Sequence, residues 1–258
     1  MRSYINVSQR NIEGTLSHIH YERRIYSLAS VINKMIDQQL SQISEGEKPE
    51  IYVNRRKAMV FADEGNIDHE GRNSIYGQIV QQLKQLGPSD LNNFRKKNVD
   101  GRIYKINFRG EGSIDAGGPF RDSLTNIVAE MESGYVPLLI KSPNNRNDHG
   151  SNRDCFILDP SSKSPAHLEM FKYLGAFIAF SILSKSPVPL NLAPTVWKQI
   201  LGQSLDLNDL MQIDAYSAQV LNDMRQYSDA LSDEEFEATV DLNFTTTLSN
   251  GDEIELCQ

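Results

Sequence analysis

Apolar side chains from Leu16 to Ile43 recur mostly at three- and four-residue steps, among them Leu28, Val31, Ile32, Met35 and Ile36. That spacing predicts a long amphipathic helix, with Gly46 as its stop. Ile51-Tyr52-Val53 is a short apolar run that reads as extended, and the basic cluster Arg55, Arg56, Lys57 follows it. Residues 63–72 are polar and carry Gly65 and Gly71, so they read as a loop. Ile75, Ile79, Val80, Leu83 and Leu86 have helical spacing, and Gly87-Pro88 stops that helix. Ser89 or Asp90 can cap a short helix at residues 91–94.

Residues 104–108 alternate strictly and predict a half-buried strand. A glycine-rich run, 110–119, leads from it into a helix marked by Phe120, Leu124, Ile127, Val128 and Met131. Residues 136–140 and 156–158 read as short extended segments, separated by a polar loop, 141–152, rich in Asn, Pro and Gly. Pro165 opens a strongly apolar helix ending near Ser186-Pro187, and apolar residues on all its faces predict a core helix. Pro194 opens another that Gly202 ends. Two further helices follow, one at Leu207, Leu210, Met211 and Ile213, the next at Tyr216, Val220, Leu221, Met224 and Tyr227. Ser232 with Glu235 forms a capping box for a third. Residues 240–245 alternate as a strand, Asn250-Gly251 signals a hairpin, and Ile254 and Leu256 alternate in the return. The pattern is that of an α+β fold, mostly helical with short strands.

Charge changes this picture in one region. Residues 203–258 hold thirteen acidic side chains and a single basic one, Arg225, for a net −12, whereas the whole chain of 258 residues carries −8. An acidic module disfavours nucleic-acid binding and suits a basic partner, or is simply a solvated face. No apolar run is long enough for a bilayer span, and the first residues lack a secretory signal pattern. The two cysteines, Cys155 and Cys257, offer neither metal-ligand spacing nor a disulfide framework, so a reducing compartment is the default.

Candidate chemistry is sparse. Residues 110–118 lack the Gly-Lys-Ser/Thr ending of a phosphate-binding loop and the dinucleotide glycine spacing. The better reading is structural, with Gly117 and Gly118 allowing a sharp strand-to-helix turn and Asp115 accepting backbone N–H bonds there. His18 and His20 point to different helix faces, and His69, His149 and His167 have no ligand-spaced neighbours, so no metal is expected. No Gly-x-Ser-x-Gly elbow is present, and neither cysteine sits where its thiol would be activated. A core setting is expected for Cys155.

The order of the segments carries a resemblance. Val53-Asn54-Arg55-Arg56 precedes a helix, and strand 105–108 runs into Gly110-Glu111-Gly112-Ser113-Ile114-Asp115-Ala116-Gly117-Gly118-Pro119-Phe120-Arg121-Asp122. Asn152-Arg153-Asp154-Cys155-Phe156 then leads to Lys172-Tyr173-Leu174-Gly175. Later come Pro189-Leu190-Asn191-Leu192, Trp197-Lys198-Gln199-Ile200-Leu201-Gly202 and the hairpin at Asn250-Gly251. Over roughly residues 50 to 258 this resembles the N-terminal lobe of HECT-type ubiquitin ligases. Asp122 stands where the family usually has Glu.

The periodicity places a helical extension over 1–49, at the edge of the match, and the resemblance implies a large subdomain over 50–202 and a small conjugating-enzyme-binding subdomain over 203–258, both incomplete. It implies a transferase: ubiquitin passes from a conjugating enzyme's cysteine to a cysteine in a separate lobe, then to a substrate lysine. That lobe has no counterpart in this chain, so the expectation is a fragment of a ligase that forms no thioester alone. Expected partners are a conjugating enzyme on the small subdomain, contacted by Leu221, Met224, Tyr227, Leu242 and Phe244, with ubiquitin and substrate engaged through the missing lobe and upstream regions. Each of these five side chains is equally compatible with packing the subdomain's own core. No cofactor is implied, and a cytoplasmic setting, with the nucleus also compatible, is expected. The alternative is a non-catalytic HECT-like module that binds a conjugating enzyme as a decoy.

Overall fold

Glu50–Val53 (β1) and Lys105–Phe108 (β2) pair in parallel, with Ile51 opposite Ile106 and Val53 opposite Phe108. Both strands bury alternate residues, as a strand with one covered face must. This computed structural model describes residues 48–86, 102–112, 117–184, 188–239 and 245–256. The long first helix, the short helix at 91–94, Asp115, Leu242, Phe244 and Cys257 lie outside the described residues. The chain divides into two compact units, the described parts of 1–138 with 162–190 and those of 139–161 with 191–258. The second unit is discontinuous in sequence, taking in a stretch well upstream of residue 203.

In the first unit, Arg55–Asp63 (α1) starts where the Asn54 side chain accepts the Lys57 N–H, and Ile75–Gln85 (α2) where Ser74 Oγ accepts the Gly77 N–H. Gly118–Glu132 (α3) and α2 cover the buried face of the sheet. Gly117 takes φ 110° at the start of α3, and a Cβ built there would meet nothing, so it is the backbone conformation that favours glycine. Gly77 is the opposite case: a Cβ would lie 2.4 Å from the Gly71 carbonyl carbon, so α2 and the preceding loop touch backbone to backbone.

Pro165–Ser184 (α5) buries Met170, Tyr173, Leu174, Phe177 and Phe180. Leu168 is 58% exposed, however, and Gly175 and Ala179 are exposed too, which corrects the expectation of a helix buried all round. Small residues on the outer face keep the composition apolar without requiring burial. Tyr104 packs edge-on against Phe120 and Phe177, and its hydroxyl bonds to Ser123 Oγ at 2.9 Å.

The loop at 63–74 contains a buried carboxylate. Asp68 accepts the N–H groups of Arg72, Asn73 and Ser74, and Glu130 on α3 accepts those of Ile75 and Tyr76 at the first turn of α2. His69 Nδ1 and His167 Nε2 lie 3.4 Å apart, a pairing across 98 residues that sequence spacing does not reveal.

In the second unit, Leu139–Lys141 (β3) and Phe156–Leu158 (β4) pair antiparallel, and Phe156 bridges to Leu192. Between the two strands runs Pro143–Arg146 (α4), a single helical turn capped by Ser142 inside the segment expected to be loop. Pro194–Ile200 (α6), Leu207–Met211 (α7), Ala215–Ala230 (α8) and Asp233–Thr239 (α9) follow. Thr245–Thr247 (β5) and Glu253–Glu255 (β6) then form a hairpin whose turn holds Asn250 and Gly251. The α+β class expected from the pattern is the class observed.

Candidate docking site

Among the described residues of the acidic second unit, the most exposed aromatic side chain stands on α8. Asp214 caps this helix by accepting the Ser217 N–H and hydroxyl at 3.0 and 2.7 Å. Buried Ala218 marks the face that packs inward. At about 100° per residue, Tyr216, Val220 and Tyr227 fall on one stripe, and Ala218 lies on the opposite side. Tyr216 is 73% exposed, Val220 41% and Tyr227 50%. Met224 flanks the stripe and is half-buried, and Leu221, 49% exposed, lies further round. Of the expected contact residues, Leu221 and Tyr227 are therefore exposed and Met224 is partly so. Tyr216 and Val220 enter the sequence pattern only as helix formers. The signal that distinguishes them is their register with Tyr227 on the side away from Ala218.

The polar segment 141–152 positions this helix. Asn144 is only 2% exposed. Its Nδ2 donates to the carbonyls of Ser151 and Met211 at 2.9 and 3.2 Å, and its Oδ1 accepts the Ala215 N–H at 2.8 Å. Its own N–H donates to the Ile213 carbonyl at 2.8 Å. Asn152, at φ 50°, donates through Nδ2 to the Gln212 carbonyl. The asparagines thus satisfy backbone groups at the α7–α8 junction that helix geometry leaves open. Gly150 is needed for contact: a Cβ there would meet Ala215 Cβ and Asn144 Nδ2, each at 2.8 Å.

Electrostatics around α8 are strongly one-sided. Asp223 takes a hydrogen bond from Gln219, and Asp233, Glu234 and Glu235 crowd the first turn of α9. Ser232 and Glu235 close the expected capping box: the Ser232 N–H and hydroxyl donate to the Glu235 carboxylate, which they hold below the usual range. Asp209, buried at α7, would be pushed up by desolvation. The Lys198 ammonium and the Asp206 N–H outweigh that and keep its carboxyl low. Such a surface attracts a basic partner and offers it apolar anchors.

The described residues show no nucleophile of the kind covalent transfer needs. Cys155 is half-buried rather than in the core. Burial first, and then the Asp154 carboxylate, push its thiol up to about 11. No group of three or more His, Cys, Asp or Glu side chains among the described residues is placed to hold a metal ion, and no described helix is long and apolar enough to cross a membrane. Gly117 and Gly118 stand at the start of α3, in the first unit.

Comparison with known proteins gives this surface its context. Residues 125–258 match the family model described as HECT-domain (ubiquitin-transferase). The chain is 36% identical over 209 residues to the human E3 ubiquitin-protein ligase HERC2, covering 81% of this chain and 4% of that protein. It is 23% identical over 257 residues to the human probable E3 ubiquitin-protein ligase HECTD4, covering 93% of this chain and 6% of that protein. The mouse E3 ubiquitin-protein ligase HUWE1 is 27% identical over 193 residues, 74% of this chain and 4% of that one. The chain thus spans only about one-twentieth of the length of these relatives. With the family model covering just over half of its residues, the chain belongs to the HECT-domain family of ubiquitin transferases.

Proposed function

We propose that this chain is the part of a HECT ubiquitin ligase on which a ubiquitin-conjugating enzyme docks, and that the exposed face of α8 receives it. The observation that carries the reading is the stripe of Tyr216, Val220 and Tyr227, flanked by Met224, with Leu221 exposed further round the helix, standing in a module of net −12. Aromatic side chains at the centre of an interface supply most of its affinity, while surrounding acids speed the approach of a basic partner. Leu242 and Phe244 complete the contact set that the family resemblance implies. Ubiquitin then passes to a cysteine other than Cys155, whose raised thiol pKa makes it a poor acceptor at neutral pH, and onward to a substrate lysine. This chemistry suits a reducing setting, the cytoplasm or the nucleus.

The test is titration of the 258-residue chain with conjugating enzymes, comparing Tyr216→Ala and Tyr227→Ala with the parent. Both side chains are exposed, so stability should change little, while each truncation should weaken binding by about tenfold or more. Incubation with ubiquitin-charged conjugating enzyme should leave no reductant-sensitive ubiquitin adduct on the chain. Equal binding by parent and both variants, or an adduct on Cys155, refutes the reading.

A further inference from the structure

The outer edge of β1 is sealed by glutamine side chains instead of by a strand. Gln82 Oε1 accepts the Tyr52 N–H at 2.9 Å, and its Nε2 donates to the Tyr52 carbonyl at 2.8 Å. Gln78 does the same for Asn54, accepting its N–H at 2.8 Å and donating to its carbonyl at 3.2 Å. A carboxamide has the donor and the acceptor of a peptide group, so two of them reproduce the ladder a neighbouring strand would offer. The fit is geometric. Residues four apart on a helix rise about 6 Å, close to the roughly 6.6 Å between alternate residues of a strand.

A second glutamine pair repeats this spacing. Gln81 and Gln85 also lie four apart on α2, and both line an open cleft of about 470 Å³ beside the sealed edge. Gln81 makes only a long contact, 3.5 Å, to the Glu70 carbonyl, and Gln85 is exposed. The other walls bring in Lys57, Arg72 and Arg109, with no carboxylate among the described lining residues. Among the described residues the Lys57 ammonium donates only to the Arg72 carbonyl, at 3.3 Å, and Arg72 reaches Glu70 at 3.8 Å with both side chains well exposed. Glu50, two residues before Tyr52 on β1, accepts the Tyr52 hydroxyl at 2.8 Å.

We propose that this cleft binds an extended acidic segment of a partner protein, with Gln81 and Gln85 pairing to its backbone and Lys57, Arg72 and Arg109 meeting its carboxylates. The chain as a whole carries −8, so its net charge repels such a segment and binding has to come from the local constellation. Glutamine pairs favour a peptide over a nucleic acid because they match alternating N–H and C=O groups. Tyr52 is the single aromatic among the described lining residues, which gives bases little to stack on. The proposal is independent of the docking face on α8 and stands or falls separately.

Fluorescence anisotropy on the 258-residue chain tests it, using a labelled peptide of about twelve alternating serine and glutamate residues. The peptide should bind at about 50 mM salt and weaken markedly at about 300 mM. Lys57→Gln combined with Arg109→Gln should reduce affinity about tenfold. Gln81→Ala combined with Gln85→Ala, which leaves every charge in place, should reduce it about fivefold. Lys84→Gln removes a neighbouring charge from α2 outside the cleft and should change nothing, with circular dichroism confirming that all variants fold. Equal losses for Lys84→Gln and for the cleft cations overturn the proposal, because charge anywhere would then suffice. Unchanged binding in the glutamine variant, tighter binding of a labelled oligothymidylate, or no binding at low salt overturns it too.

Discussion

Replacing Asn144 with alanine tests whether the polar segment 141–152 holds α8 in place. The side chain is buried and makes three hydrogen bonds, two to carbonyls and one from the first N–H of α8. Alanine removes all three partners and leaves the carbonyls of Ser151 and Met211 and the N–H of Ala215 facing a small void. A buried backbone group without a partner costs about 1–3 kcal/mol, and the 3.2 Å bond to Met211 is the weakest of the set. Water entering the void recovers part of that, which leaves a loss of about 2–4 kcal/mol. That is a large share of the roughly 5–15 kcal/mol that stabilises a domain. Trp197, the single tryptophan, sits on α6 in the same unit and reports on it by fluorescence. With a urea dependence of about 1–3 kcal/mol per molar, the Trp197 transition should fall by roughly 1–2 M. Asn144→Asp separates the contributions, since it keeps an acceptor for Ala215 but turns acceptor oxygens toward two carbonyls, and it should be destabilised too. A shift below about 0.3 M in Asn144→Ala would mean that the asparagine does not anchor α8 and would refute the reasoning.

Two further outcomes follow from the buried ionisable groups. Burial raises the Glu130 carboxyl to about 7 despite two backbone N–H donors, so the folded state holds a proton that the unfolded chain releases near its ordinary value of 4.5. Stability from this group is therefore present at low pH and lost as pH rises from about 4.5 to about 7, by up to about 3 kcal/mol. Unfolding free energies measured across that window should fall less steeply with pH in Glu130→Gln than in the parent, and equal slopes would contradict the assignment. Cys155, with its thiol at about 11, should be alkylated by iodoacetamide at pH 8 about a hundredfold more slowly than an unperturbed cysteine, as followed by mass spectrometry of the peptide containing it. Rapid labelling at that site would show that the thiol is not suppressed.

The sequence alone determined the local elements of this protein. Periodicity located α2, α3, α5 and α8, and strict alternation located β2, because a face that must be buried writes its period into the chain. Caps were legible for the same local reason: Ser232 and Glu235 are three residues apart and satisfy each other's neighbourhood without help from elsewhere. The positive φ of Gly117 ahead of α3 was legible in the glycine pattern, and the order of the segments pointed to the HECT family.

Only the tertiary structure decided which surface each element shows. The periodicity of α8 is the same whether Tyr216 and Tyr227 pack inward or face solvent, and it is the buried Ala218 that fixes the answer. The segment at 141–152 reads as a solvated loop because its residues are polar. Asn144 nevertheless lies buried, since its partners are backbone groups of residues about seventy positions away. Glu130 was hidden for the same reason, as were the glutamines that seal β1, and the His69–His167 contact likewise joins residues far apart in the chain. A polar side chain is buried when distant backbone groups complete its hydrogen bonds, and no local pattern records where those groups will come to lie.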